Sequence, residues 1–160
     1  MGCDMRYWLM KSEPDEVAID DLERAPGQRV PWFGVRNYQA RNFMRDEMRA
    51  GDLAFFYHSG CPVPGIAGIC EISRPAFADA TQFDPSSPYF DPKSAPDAPR
   101  WVNVEVRFVC KTPYISLDTL RQHPRLAAMP LLRRGNRLSI TPVEDAQWSF
   151  ITRDLMGVDR

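Results

Sequence analysis

Two apolar runs, LAFFYHS at residues 53–59 and IAGICEI at 66–72, are separated only by the turn CPVPG. Each has the length and the aromatic or β-branched content of a buried strand. A parallel pair needs a crossover of a dozen or more residues, and this link is far too short for one. The two strands must therefore lie antiparallel, which points away from a wound α/β sheet. The period-two run at 101–111, WVNVEVRFVCK, strengthens that reading. Trp101, Asn103, Glu105 and Arg107 alternate there with Val102, Val104, Val106 and Phe108, as in a half-buried antiparallel strand.

The rest of the chain supplies helices around such a sheet. Residues 6–11 read as a first short strand, and residues 15–24 as a weak helix closed by Ala25-Pro26-Gly27. The turn WFGVRN at 32–37 leads into a helix over 37–48, with Tyr38, Phe43, Met44 and Met48 at helical spacing and Gly51 past its end. Gly65 and Gly68 interrupt the second apolar strand, through close approach of another group or through a bulge. Residues 73–100 carry Pro85, Pro88, Pro92, Pro96 and Pro99, which preclude a long helix or a central strand. Phe77, Phe83, Tyr89 and Phe90 in that segment predict a loop pinned over the domain. A short capped helix follows Ser116, the run 126–132 is ambiguous, and 138–140 is a last strand. Thr141-Pro142-Val143-Glu144 reads as a capping box opening the final helix. The expected fold class is α+β: short, mostly antiparallel strands in a small curled sheet or barrel, flanked by helices, as one domain over residues 5–157.

Composition narrows the function. With 160 residues, 44% hydrophobic and 26% charged, the chain has the make-up of an ordinary globular protein. Its net charge of −1 offers no global attraction to a polyanion but leaves room for a local basic patch. No apolar run approaches the ~20 residues of a membrane helix. Gly2 and Cys3 suggest a lipid anchor, but Arg6 stands where myristoylation wants Ser or Thr. Met5 is an alternative start that would leave residues 1–4 as a flexible tail. Cys3, Cys61, Cys70 and Cys110 form no CxxC pair, and His58 and His123 are the only histidines. No metal site and no cofactor is expected, and a reduced, cytoplasmic setting fits four thiols without a disulfide framework.

No catalytic motif is present: no GxSxG, HExxH, P-loop or GxGxxG. His58 and Ser59 are neighbours at a strand end, and Lys11 and Glu13 could act as nucleophile or base in a dry pocket. Each is more simply a hydrogen-bonded turn residue. The stronger theme is aromatic faces beside planar hydrogen bonders. Trp8, Trp32, Tyr38 and Tyr57 could stack a flat ligand, while Ser12, Asn37, His58 and backbone freed at Gly34 could read its edge. Such a set suits an extruded nucleobase. Arg36, Arg41, Arg45 and Arg49, with Arg133, Arg134 and Arg137, could neutralise phosphates. The bland alternative is core aromatics and a solvated arginine face.

Five blocks carry a resemblance: YWLMKSEP at 7–14, WFGVRNYQARNFMR at 32–45, GDLAFFYHS at 51–59, PGIAG at 64–68 and GNRLSITPV at 135–143. In this order, across nearly the whole chain, they resemble the EVE domain family. The resemblance implies a PUA-like pseudo-barrel related to YTH and ASCH domains, and a non-catalytic reader of a modified nucleobase, with a modified cytosine in DNA or RNA foremost. It implies base-binding positions at Lys11, Ser12, Glu13, Trp32, Gly34, Val35, Asn37, Tyr57, His58 and Ser59. Trp32 and Tyr57 would stack or enclose the base, and Ser12, Asn37 and His58 would read its edge. Arg36, Arg41 and Arg45 would hold phosphates. Phe33 departs from the expected small or polar residue, and would narrow the mouth or pack inward. A monomer without membrane or metal partners is expected. A rival reading borrows from ASCH domains: a small hydrolase of acylated nucleosides using Lys11 with Glu13 or Tyr57. A third is an adaptor whose pocket binds nothing.

Overall fold

A single six-stranded mixed sheet organises the chain in the order β2-β5-β4-β3-β1-β6. The computed structural model describes residues 5–158, so the tail expected at residues 1–4 lies outside it. The strands are β1 (Tyr7–Ser12), β2 (Arg29–Pro31), β3 (Leu53–His58), β4 (Gly65–Ala78), β5 (Val102–Ser116) and β6 (Ile140–Val143). As the short turn requires, β3 and β4 are antiparallel, with Phe55 opposite Ile69. Among the described residues the one parallel pair is β1 with β3, Tyr7 to Ser12 running beside Leu53 to His58. Residues 13–52 provide the crossover between them.

The fold is α+β as expected, and of the two expected forms the open sheet is the one found: it does not close into a barrel, and β2 and β6 form its two edges. The expectation of short strands needs correction, because β4 spans 14 residues and β5 spans 15. Four register shifts break the pairing of this long hairpin, and each extra residue bends and twists the ribbon. At Gly68 both readings of the glycine hold. A register shift lies between Ile66 and Gly68, and a Cβ there would stand 2.7 Å from the Cys110 carbonyl oxygen and from Ile19 Cδ1.

Each face of the sheet carries its own core. On one, Trp8, Met10, Ala54, Phe56, Val104 and Val106 pack under α1 (Ile19–Arg24) and α2 (Tyr38–Asn42). α2 continues as a π-helical turn through Phe43–Glu47, which brings Met44 onto that core. On the other, Leu9, Phe55, Tyr57 and Ile69 pack under α3 (Leu117–Arg121) and α4 (Asp145–Ser149). Trp148 of α4 stacks on Tyr7 and Phe55, with centroids 4.4 and 4.1 Å apart. The final helix starts later than the sequence suggests. Thr141 and Pro142 belong to β6, and the cap is at Glu144, whose N–H is accepted by Gln147 Oε1 at 3.0 Å.

The proline-rich segment is fastened from within. Its first residues extend β4, and the rest folds around fully buried Gln82. The Gln82 amide donates to the carbonyls of Asp79 and Trp101, and its oxygen accepts from Trp101 N–H and the Ser94 hydroxyl.

Candidate nucleobase site

β1 and β3, being parallel, end on the same side of the sheet, where the Ser59 N–H donates to the Ser12 carbonyl at 2.9 Å. A cavity of about 400 Å³ opens there. Strand ends in mixed sheets leave such crevices, and this volume suits a small planar ligand. Lys11, Ser12 and Glu13 border it from β1, and Ser59 and Gly60 from the end of β3. Trp32, Phe33, Gly34, Val35 and Arg36 border it from the β2–α2 connection, and Glu16, Tyr89, Arg137 and Ser139 also line it.

The connection 32–37 is held open by backbone geometry. Trp32 N–H donates to the Val104 carbonyl at 2.7 Å, continuing β2, and its indole packs edge-on to Phe56. Gly34 then takes φ +83°, a conformation that side-chain-bearing residues rarely adopt. Tyr89 uses the vacated space: a Cβ on Gly34 would stand 2.8 Å from the tyrosine ring. The Tyr89 ring also meets Phe33 edge-to-face at 5.9 Å, and its hydroxyl donates to Glu16 Oε2 at 2.5 Å. Phe33 and Tyr89 thus make an aromatic wall. Burial, then the Glu16 hydrogen bond and charge, push the Tyr89 phenol up to about 12, so it keeps its proton at neutral pH.

Arg36 is a fastener. Its guanidinium donates to Asp79 Oδ2 at 3.1 Å, to Thr81 Oγ1 at 3.0 Å, and to the carbonyls of Val35 and Tyr89. The carboxylate of fully buried Asp79 accepts four hydrogen bonds, from Gly34 N–H, Arg36, and the Thr81 N–H and hydroxyl. This ties the loop bearing Tyr89 to the connection bearing Gly34.

Lys11, Ser12, Glu13, Trp32, Gly34, Val35, Arg36 and Ser59 come together around the cavity; Asn37, Tyr57, His58, Arg41 and Arg45 do not line it. Asn37 caps α2, its Oδ1 accepting Ala40 N–H at 3.0 Å. Tyr57 packs in the core of the other sheet face and does not line the cavity. Burial raises its phenol to about 12. His58 Nε2 accepts the Ile19 N–H at 3.2 Å at the start of α1. Burial holds this imidazole below its usual pKa, only partly offset by the Asp20 charge. Arg41 lies over the Tyr38 ring and donates to the Arg100 carbonyl, and Arg45 forms a two-point pair with Asp46.

Tyr89, Glu16 and Ser139 also line the cavity, and no motif in the sequence marks them as site residues. Phe33 borders the mouth, as one of its two expected placements has it. Burial lowers the Lys11 pKa. Among the described residues no cluster of three or more His, Cys, Asp or Glu is placed to hold a metal, and no helix is long and apolar enough to cross a membrane.

An open mixed sheet carries a core on each face and an aromatic-walled cavity at its parallel strand ends. The EVE domain profile matches residues 6–154, and the chain belongs to that family. It is 42% identical to thymocyte nuclear protein 1 of Mus musculus over 91% of this chain and 71% of that protein. A crystal structure of a protein from Pseudomonas putida has 50% identity and a TM-score of 0.86, covering 91% of this chain and 96% of the other. Human THYN1, solved in complex with 5-methylcytosine-containing DNA, has 42% identity and a TM-score of 0.85, covering 91% and 95%.

Proposed function

We propose that the chain is a non-catalytic reader of modified cytosine in DNA, which takes the extruded base into the cavity between the end of β1 and the Phe33–Tyr89 wall. The observation that carries the proposal is that wall beside polar strand ends, in a chain 42% identical to a protein solved with 5-methylcytosine DNA. Aromatic faces hold any base, each stacking contact contributing about 1–3 kcal/mol. Discrimination falls to the polar rim. Ser12 keeps acceptor capacity on its hydroxyl while donating to the Val17 carbonyl. The Glu13 and Glu16 carboxylates at the rim suit the exocyclic amino group of cytosine, which carboxylates accept. A 5-methyl group gains by lying against the apolar wall, about 0.8 kcal/mol for one buried carbon.

The test is a titration of duplexes differing at one cytosine: unmodified, 5-methyl, 5-hydroxymethyl and N4-acetyl, with the matching RNA strands as competitors. Modification-dependent DNA binding that weakens in Phe33→Ala and Tyr89→Ala is the expected result. Equal binding to every duplex would refute it.

A second reading rests on Lys11, whose pKa burial lowers at a cavity it shares with Glu13. That is an environment for an amine nucleophile or base in a nucleoside hydrolase. Incubation with free N4-acetylcytidine separates the two: the reader leaves it intact, and the hydrolase turns it over until Lys11→Ala removes activity.

A further inference from the structure

The cavity rim poses an electrostatic problem for any polyanion. Glu13 and Glu16 stand on it, and Arg36 beside them is already paired with the Asp79 carboxylate. Along α2 and its π-helical turn, Arg41 is engaged by the Arg100 carbonyl and Asn42, and Arg45 by Asp46. Arg49 sits before the start of β3, at the opposite end of that strand from the cavity. The arginines of the central stretch are therefore committed or badly placed.

The turn before β6 is different. Arg133, Arg134 and Arg137 are exposed, and among the described residues no hydrogen bond or ion pair engages their side chains. Arg137 and Ser139 line the cavity, and the Ser139 carbonyl accepts the Lys11 N–H at 2.8 Å, so the turn is tied to the end of β1. Its frame is fixed by its own residues. The Asn136 side chain donates to the Pro130 carbonyl and accepts Leu138 N–H, and the Asn136 N–H donates to the Arg133 carbonyl. Leu131 anchors the base of the turn in the core. Three free guanidiniums on a braced turn at the mouth of a cavity form a ready anion-binding edge.

We infer that the turn 133–137 is the phosphate clamp: Arg137 holds the phosphate of the nucleotide whose base enters the cavity, and Arg133 and Arg134 hold neighbouring phosphates of the same DNA strand. This rests on the nucleic-acid reading proposed above, and it assigns backbone binding to the turn in place of α2. The clamp carries no base information, because phosphate contacts position and base contacts specify.

The test measures Kd for a duplex with one central 5-methylcytosine and for its unmodified twin, from about 50 to about 200 mM salt. The parent is compared with the Arg133→Ala/Arg134→Ala/Arg137→Ala triple variant and with Arg41→Ala/Arg45→Ala. Each lost phosphate contact flattens the slope of log K against log salt by about 0.9, so the triple variant should lose about 2.7. Its affinity for both duplexes should fall by the same factor, leaving the preference for 5-methylcytosine unchanged, with an unaltered urea midpoint. The α2 pair should keep the parental slope. A parental slope in the triple variant, or a loss in the α2 pair instead, overturns the assignment while leaving the reader proposal standing. Turn-dependent salt sensitivity without any preference for 5-methylcytosine supports the clamp and refutes the reader. Failure of the parent to bind either duplex overturns both.

Discussion

Gly34→Ala is the substitution whose effect the geometry defines most sharply. Two separable costs attend it. The backbone stays at φ +83°, where an L residue is disfavoured by about 1–2 kcal/mol. The new methyl would also stand 2.8, 2.9 and 3.0 Å from three carbons of the Tyr89 ring. That ring has little freedom to retreat, with Phe33 against it and Glu16 on its hydroxyl. Overpacking of this kind adds about 1–3 kcal/mol, giving about 2–5 kcal/mol in all. In a Tyr89→Ala background the clash is gone and only the backbone cost of about 1–2 kcal/mol remains. Urea unfolding of the four proteins of the cycle should therefore show a coupling of at least about 1 kcal/mol, with Gly34→Ala milder when Tyr89 is absent. Equal costs in the two backgrounds would show that Tyr89 does not occupy the space beside Gly34, and the aromatic wall would fall with it.

Other perturbations probe the same architecture. His58 has a folded pKa depressed below the unfolded value of 6.5, so its stabilising contribution is full above that pH and is lost as pH falls through and below it. His58→Gln should accordingly show a smaller drop in urea midpoint than the parent between about pH 7.5 and about pH 5; an identical drop would count against the half-buried imidazole's role as acceptor of the Ile19 N–H. Asp52, buried, accepts the Trp8 indole N–H at 3.0 Å and the backbone N–H groups of Arg6 and Arg49. Asp52→Ala strands these donors and should cost about 3 kcal/mol in chemical denaturation; a loss under about 1 kcal/mol would mean that water replaces the carboxylate. Tyr57→Phe should leave binding to 5-methylcytosine DNA within about twofold of the parent, since the tyrosine packs in the core and does not line the cavity; a larger loss in filter or fluorescence binding would return Tyr57 to the site.

Much of the sheet was legible because its signals are local. The short link between β3 and β4 dictated an antiparallel pair, and the alternation at 101–111 marked the first part of β5. What local signals cannot carry is which face of a strand looks onto the site. LAFFYHS is apolar on both sides, since both sides are core, so Tyr57 and His58 gave no parity cue. Asn37, an amide just ahead of α2, fits a base contact and a helix cap equally by residue type, and the structure uses it as the cap. Tyr89 escaped for another reason: its partners Gly34 and Glu16 lie far away in sequence, and only its being an aromatic in a polar, proline-rich loop marked it. The lone-standing Arg133, Arg134 and Arg137 could not be ranked against Arg36, Arg41 and Arg45 without knowing which guanidiniums already had partners.

The buried carboxamide of Gln82 gives the proline-rich loop an attachment that does not depend on what the loop displays. Its bonds run to main-chain groups of Asp79 and Trp101 and to Ser94, none of which borders the cavity. Residues 84–90 are thereby a replaceable cassette clipped at both ends. Exchanging Tyr89 for another side chain should redraw the cavity wall while the clip and the sheet beneath it stay as they are, so ligand preference can drift without endangering the fold.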